Sequence, residues 1–303
     1  MKMRPITPND YERLKPYFKN QSHRLCAYAL PSCIAWSNEN YQTYGLVVDD
    51  FLVLGMDFTH ENEDRHIMLP ISPKREFPPE MLLGIAKDLG FNQYYFVPED
   101  YIDKYGEDNV KRYFTIKAHK KYDDYIYNRS DLAFLKGNKY SKKRNLINQF
   151  KKQYVNTGRV KVEKITHEMI SRCLEFLEKW CEERDCGYDP KDDLACEKQA
   201  AINMIENIEN FDVKSLLLRI DGEINAFGIG AHLTDDMAVL HFEKAFSKVK
   251  GLYQYFDNLC AIRLFEDYTY INKESDMNEE GLKKAKRSYY PCMFVKSYKL
   301  ILQ

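Results

Sequence analysis

His241-Phe242-Glu243-Lys244-Ala245 runs, two residues on, into Lys248-Val249-Lys250-Gly251-Leu252-Tyr253. The first block closes an apolar strand that begins at Met237. The second turns through a glycine into a helix expected over Leu252 to Phe265. Backbone N–H groups at a helix start, approached through a glycine, hold phosphate well. Strand, short basic loop and helix in this order form a unit of α/β architecture, and the flanking segments fit it.

Upstream, Val213 to Ile220 and Glu223 to His232 flank Asp221-Gly222, a hairpin signature, and Thr234-Asp235-Asp236 turns into the third strand. Before these lie two amphipathic helices, His167 to Glu183 and Ala195 to Ile208. Downstream, Tyr268 to Ile271 and Phe294 to Leu302 read as strands. The first half has the same rhythm. A capped helix start at Pro8-Asn9-Asp10 precedes strands Tyr44 to Val48, Phe51 to Met56 and His66 to Ile71, with Asp49-Asp50 as the first turn. A helix from Pro78-Pro79 to Gly90 follows, then strands Tyr94 to Val97 and Tyr113 to Ala118. Between the halves, Ser130 to Lys136 and Lys139 to Tyr154 read as helices. The repeated order of elements predicts a structural duplication, divided into domains 1–125 and 126–303.

The chain has 303 residues, 44% of them hydrophobic, with 23 Tyr and 17 Phe and a formal net charge of −1. That balance argues against general adhesion to polyanions. The basic residues are nonetheless concentrated. From Asp131 to Glu163 no acidic residue intervenes, while Lys136, Lys139, Lys142, Lys143, Arg144, Lys151, Lys152, Arg159 and Lys161 do. A second acid-free stretch, Gly281 to Gln303, carries Lys283, Lys284, Lys286, Arg287, Lys296 and Lys299. Two such runs predict a specific anionic ligand. No apolar run reaches the ~18–20 residues of a bilayer span, and no signal-peptide segment opens the sequence, so a cytoplasmic protein is expected. The 8 Cys form no CxxC pair, and Cys181, Cys186 and Cys196 have no His at ligand spacing. Free thiols and no metal are expected.

Lys248 to Tyr253 resembles the pyrophosphate loop of GNAT-superfamily acetyltransferases, Arg/Gln-x-x-Gly-x-Gly/Ala, except that Tyr253 stands where the loop carries Gly or Ala. Larger blocks resemble one family in one order: Tyr125-Ile126-Tyr127, Asp131-Leu132, Leu135-Lys136-Gly137, Lys139, Lys143-Arg144-Asn145, Asn148-Gln149-Phe150, His241 to Ala245, Asp276, Gly281-Leu282, Lys284-Ala285-Lys286 and Ser288-Tyr289-Tyr290-Pro291. These are similar to the C-terminal domain of phosphatidylglycerol lysyltransferases, the DUF2156 group. Asp276-Met277-Asn278 departs from that family's usual Asp-Leu/Met-Gly. The resemblance implies an α/β fold of tandem GNAT-like acyltransferase domains, mixed sheets flanked by helices. It further implies kinship with Fem-type transferases that take amino acids from aminoacyl-tRNA.

On that reading, aminoacyl-tRNA is the donor, acetyl-coenzyme A the alternative, and the acceptor open. A non-catalytic binder of tRNA or another phosphate ligand is the remaining possibility. A cationic groove with rings for stacking suits the acceptor end of tRNA. Lys139, Lys143, Arg144, Lys284 and Lys286 would line it, with Tyr290 between them. Lys248, Lys250, Gly251 and Tyr253 are the expected phosphate contacts. Lys244 is the candidate for stabilising the oxyanion, a contribution of ~3–4 kcal/mol per donor. Glu243 or Asp276 would bind the α-amino group or act as base, with His241, on the face of Glu243, as the next acid–base candidate. Neighbours on a strand face opposite ways, so Glu243 and Lys244 share a cleft only if the strand bulges.

Overall fold

The computed structural model describes residues 2–38, 41–58, 65–184 and 193–303. Strands β1 (Arg4–Pro5), β2 (Tyr41–Val48), β3 (Phe51–Phe58), β4 (His66–Ile67), β5 (Gln93–Pro98) and β6 (Phe114–Ala118) precede β7 (Asp124–Asn128) and β8 (Val160–Glu163). Then come β9 (Val213–Ile220), β10 (Glu223–Thr234), β11 (Met237–Ala245), β12 (Tyr270–Asn272), β13 (Met293–Val295) and β14 (Ser297–Leu302). The helices are α1 (Tyr11–Leu14), α2 (Leu30–Ala35), α3 (Pro79–Leu89), α4 (Glu99–Tyr105), α5 (Glu107–Val110), α6 (Arg129–Phe134), α7 (Ser141–Phe150), α8 (Ile170–Arg184), α9 (Asp193–Glu206), α10 (Leu252–Arg263) and α11 (Glu280–Arg287).

These strands build two seven-stranded sheets, in the orders β1-β2-β3-β4-β5-β14-β6 and β13-β7-β12-β11-β10-β9-β8. Read from opposite ends the orders correspond, and each sheet holds one parallel pair at the same place, β4 with β5 and β11 with β12. The α/β class and the mixed sheets flanked by helices are those expected. The turns at Asp49 and Asp221-Gly222 take the positive φ that two-residue hairpins need.

The division at 125/126 needs correction. It cuts through β7, which already belongs to the second sheet. The expected strand Phe294 to Leu302 is two strands separated at Lys296, and the chain's last strand returns to the first sheet between β5 and β6. Each half thus completes the sheet of the other. The N-terminal segment adds to the interlock. Cys26 donates its amide to Asp124 at 2.6 Å, Asn272 donates to the same carboxylate at 2.8 Å, and Arg24 pairs with Asp236 at 2.7 Å. Burial pushes the Asp124 carboxyl up to about 6.

Two apolar layers cover the second sheet. Phe176, Trp180 and Phe227 lie on the face of α8 and α9, and Phe256, Leu259 and Cys260 on the face of α10. The helix expected over Lys139 to Tyr154 is α7 with a 3-10 turn before it at Asn138–Tyr140 and a π turn after it at Lys151–Val155.

Candidate active site

β11 runs along β10 for its whole length but along β12 only where Met237–Val239 meets Tyr270–Asn272. Beyond Val239 the parallel pair opens. The pairing with β10 also shifts register at His241, a β-bulge. Charged side chains fill the opening.

Glu243 Oε2 accepts from Lys273 Nζ at 2.8 Å, and the same ammonium pairs with Asp257 Oδ1 from α10. Asp257 is 3% exposed, and its Oδ2 has no hydrogen-bond partner. The Tyr289 ring centroid lies 5.5 Å from Lys273 Nζ and 3.8 Å from Lys143 Nζ. Lys143 also donates to Ser288 Oγ at 2.7 Å. Burial raises the Glu243 carboxyl to about 7, with the Asp257 charge adding to the rise and Lys273 opposing it. Burial pulls Lys273 down, but Asp257 and then Glu243 more than reverse this, so the ammonium stays charged. Burial also lowers Lys143, and with Asp257 it holds the Tyr289 phenol firmly protonated. The site therefore contains a carboxylate that exchanges protons near neutrality, a fixed cation and a phenol that keeps its proton.

One layer further out, His241 Nδ1 lies 2.8 Å from Glu274 Oε1, while its Nε2 is buried without a partner. Lys286 reaches back from α11 to donate to the carbonyls of Lys273 and of Glu274, the latter at 3.2 Å, and burial lowers its pKa. It pins the backbone that presents Lys273. Asp276 accepts from the Tyr125 hydroxyl at 2.5 Å and from the Asn278 amide at 2.9 Å. Met277 and Asn278 follow with positive φ. Asp276 thus shapes the turn before α11, and the departure at Asn278 keeps that turn because Asn tolerates left-handed backbone.

Lys244 lies elsewhere. It points to the opposite face of β11, where its ammonium sits 2.6 Å from Glu197 and 4.1 Å from the Trp180 ring. Glu243 and Lys244 therefore do not share a cleft. The bulge at His241 also breaks the alternation that placed His241 beside Glu243, and the two side chains take different partners.

The expected phosphate loop is internally engaged. Gly251 has φ +81, and a Cβ there would stand 2.3 Å from the Leu146 carbonyl oxygen of α7. The glycine is required by close helix packing and by its left-handed backbone. The Leu252 amide donates to Val249, Lys248 pairs with Glu183 at 2.9 Å, and Lys250 is exposed. The Tyr253 hydroxyl receives Trp180 Nε1 at 3.1 Å and Arg184 at 3.4 Å.

The expected basic groove also divides. Lys143 and Lys286 turn inward, and Arg144 caps α6 by donating to the carbonyls of Leu135 at 2.5 Å and Gly137 at 2.6 Å. Lys139, near Asp131 at 3.8 Å, remains on the surface with Lys284 and Tyr290. Cys186 lies outside the described residues.

Asp257, Lys273 and Glu274 were not singled out in the sequence. Asp257 had left a trace, as an acid inside the apolar run Phe256 to Ala261. Lys273-Glu274 had none, because a three-residue strand places them.

The family described as Phosphatidylglycerol lysyltransferase, C-terminal, matches residues 87–301, well over half of the sequence. The chain belongs to this family. The site described above lies within the matched span. A solved conserved protein of unknown function from Bacteroides thetaiotaomicron VPI-5482 is 29% identical to this lysyltransferase-family chain. The two align over 100% of each chain with a TM-score of 0.88. The DUF2156 C-terminal domain of a putative lysylphosphatidylglycerol synthetase from Agrobacterium fabrum has 11% identity and a TM-score of 0.64. That alignment covers 96% of this chain and 92% of the other, and it shows a shared fold. No curated protein matches the sequence. Among the described residues, no helix is long and apolar enough to cross a membrane.

Proposed function

We propose that the opening between β11 and β12 transfers an aminoacyl group from aminoacyl-tRNA to an acceptor hydroxyl or amine. The observation that carries this reading is the buried set Glu243, Lys273, Asp257 and Tyr289, placed within the span matched by a lysyltransferase family. Glu243, titrating near neutrality, takes the proton of the attacking acceptor. Lys273 stabilises the negative charge that develops on the ester carbonyl oxygen. The acyl–oxygen bond to the ribose breaks, and the departing oxygen takes up the proton that Glu243 received from the acceptor, while the Tyr289 phenol keeps its own. Asp257 holds Lys273 in place and favours the neutral phenol. The donor's phosphates would follow the exposed Lys250, the exposed Lys142 on α7 and the exposed Lys152 in the π turn after it. Gly251 packs that loop directly on α7.

Acetyl-coenzyme A is the less favoured donor, because the Leu252 amide is already bonded and Tyr253 is held between Trp180 and Arg184. The test is competition between bulk aminoacyl-tRNA and acetyl-coenzyme A at one fixed salt concentration, followed by single-turnover deacylation of the charged tRNA. Preference for charged over uncharged tRNA is expected, with acyl loss slowed about 100-fold or more in Glu243→Gln. Tight acetyl-coenzyme A binding with indifference to tRNA would refute the proposal.

A further inference from the structure

The reacting groups proposed above are shut away. The Glu243 side chain is 13% exposed, that of Lys273 15% and that of Asp257 3%. An acceptor and an activated ester cannot both reach groups so enclosed unless a neighbouring element moves. Tyr127, Cys260, Lys143 and Tyr289 lie within electrostatic reach of this set. Tyr127 and Cys260 are buried in the core. The solvent side is therefore made by Lys143 of α7 and by Tyr289, which follows α11.

These two walls are held differently. Ile147 and Phe150 bury α7 in the core, the Phe150 ring stacks on Tyr255 at 4.8 Å, and the Leu146 carbonyl abuts Gly251. α11 has no buried residue, and its Leu282 is 42% exposed. What ties α11 and the turn after it to the fold is a set of hydrogen bonds. Lys286 donates to the carbonyls of Lys273 and Glu274, and the Tyr127 hydroxyl donates to the Lys286 carbonyl at 2.8 Å. Against α7, the Tyr140 hydroxyl donates to the Tyr289 carbonyl at 3.0 Å and Lys143 donates to Ser288 Oγ at 2.7 Å. Left-handed residues bracket the segment, Met277 and Asn278 at φ 51 and 65 before it and Tyr290 at φ 56 after it. Beyond them the chain is fixed again, by Asp276 on the Tyr125 hydroxyl and by the Cys292 amide on the Ile126 carbonyl at 2.8 Å.

We infer that residues 277–291 form a lid, closed in this structure and latched to α7 through Tyr140 and Lys143, whose lifting admits substrates to Glu243 and Lys273. Segments with few buried apolar contacts open at the low end of a protein's range of local stabilities. Lifting the lid returns the Lys286 ammonium and the freed carbonyls to water, which replaces the hydrogen bonds that break. Widening the opening from the other side would instead pull Phe256, Leu259 and Cys260 of α10 out of the core. The left-handed residues at the two ends are where the backbone turns, as hinge positions do. The lid regulates entry to the proposed site and to that extent rests on that reading, but the closure itself is a property of the fold.

The test is amide hydrogen exchange of the full chain, resolved by peptide mass spectrometry, in the absence of tRNA. A helix of 8 residues does not persist once detached, so the α11 amides exchange each time the lid lifts. They should exchange about 100-fold or more ahead of those of α10. Tyr140→Phe with Ser288→Ala removes both latch bonds and should speed α11 exchange about tenfold or more, with α10 within about twofold of wild type. Ser288→Ala alone, at an exposed position, should speed it about threefold. A second measurement reads access directly: iodoacetamide labelling of a Glu243→Cys variant, followed at that peptide, should accelerate by the same factor when the latch pair is added. Exchange in α11 no faster than in α10, or labelling at position 243 unchanged while α11 exchange quickens, overturns the inference. Neither measurement uses the transfer reaction, so a failed deacylation assay would leave the lid standing, and a failed lid would leave the deacylation assay standing.

Discussion

Glu243→Gln should make the protein more stable while removing its turnover. The Glu243 carboxyl is raised from an ordinary 4.5 to about 7, with burial as the main cause. An acid raised in this way holds its proton more tightly when folded than when unfolded. Stability therefore falls as pH climbs from about 4.5 through about 7, and the full cost is present above that window. At 1.36 kcal/mol per pKa unit the cost is about 3 kcal/mol at pH 8, and the side chain is buried enough that solvent screening does not remove it. Glutamine keeps the shape and stays neutral. Lys273 retains Asp257 as its counter-charge. The variant should come within about 1 kcal/mol of the wild type near pH 5 and exceed it at pH 8 by about 3 kcal/mol, a rise in melting temperature of roughly 6 °C for a chain of this size. Calorimetric melts from pH 5 to 8 would measure this. Parallel melting profiles for the two proteins would show that Glu243 is not the group exchanging protons near neutrality, and the assignment of the base would fall with it.

The wild-type rate of acyl transfer should rise through a limb near pH 7 as Glu243 ionises, and Glu243→Gln should lack that limb in a pH–rate profile. Lys286→Met should free the carbonyls of Lys273 and Glu274, cost about 1–3 kcal/mol in denaturant titrations and lower kcat more than it raises KM. Lys244→Met should leave the rate of a saturated single turnover within about threefold of wild type, since that ammonium faces Glu197 and Trp180 across the strand from the site. Gly251→Ala should destabilise by about 2–4 kcal/mol in a urea titration, because a Cβ would strike the Leu146 carbonyl and the residue sits at positive φ.

The alternation of apolar residues, the Asp221-Gly222 turn and the glycine before α10 were enough to place most elements, because each obeys a local rule. The ends of the sheets were not legible. Nothing near Lys296 signals that one apolar run serves two sheets, since the choice is made by partners ~170–200 residues away in sequence, a distance that local reading does not cover. Glu243 was visible as an acid on a buried strand. Its partners were not, because Asp257, Lys273 and Tyr289 converge from a helix, a short strand and a helix end. The basic runs were misleading for a similar reason. Lys143, Arg144 and Lys286 look solvated in sequence, but in the fold Lys143 turns to Ser288 and the Tyr289 ring, while Arg144 and Lys286 donate to backbone carbonyls.

Because β14 fills a gap in the first sheet, β5 and β6 cannot be joined during synthesis until Ser297–Leu302 has been made. Until then β5 and β6 each wait with unpaired backbone groups, an opening that invites another molecule's strand. Deleting Ser297–Leu302 would therefore injure the first sheet before the second. A chain cut between the halves would recover its native state only when both pieces are present together. Supplying Ser297–Leu302 as a free peptide to the truncated chain is the simplest way to see that dependence.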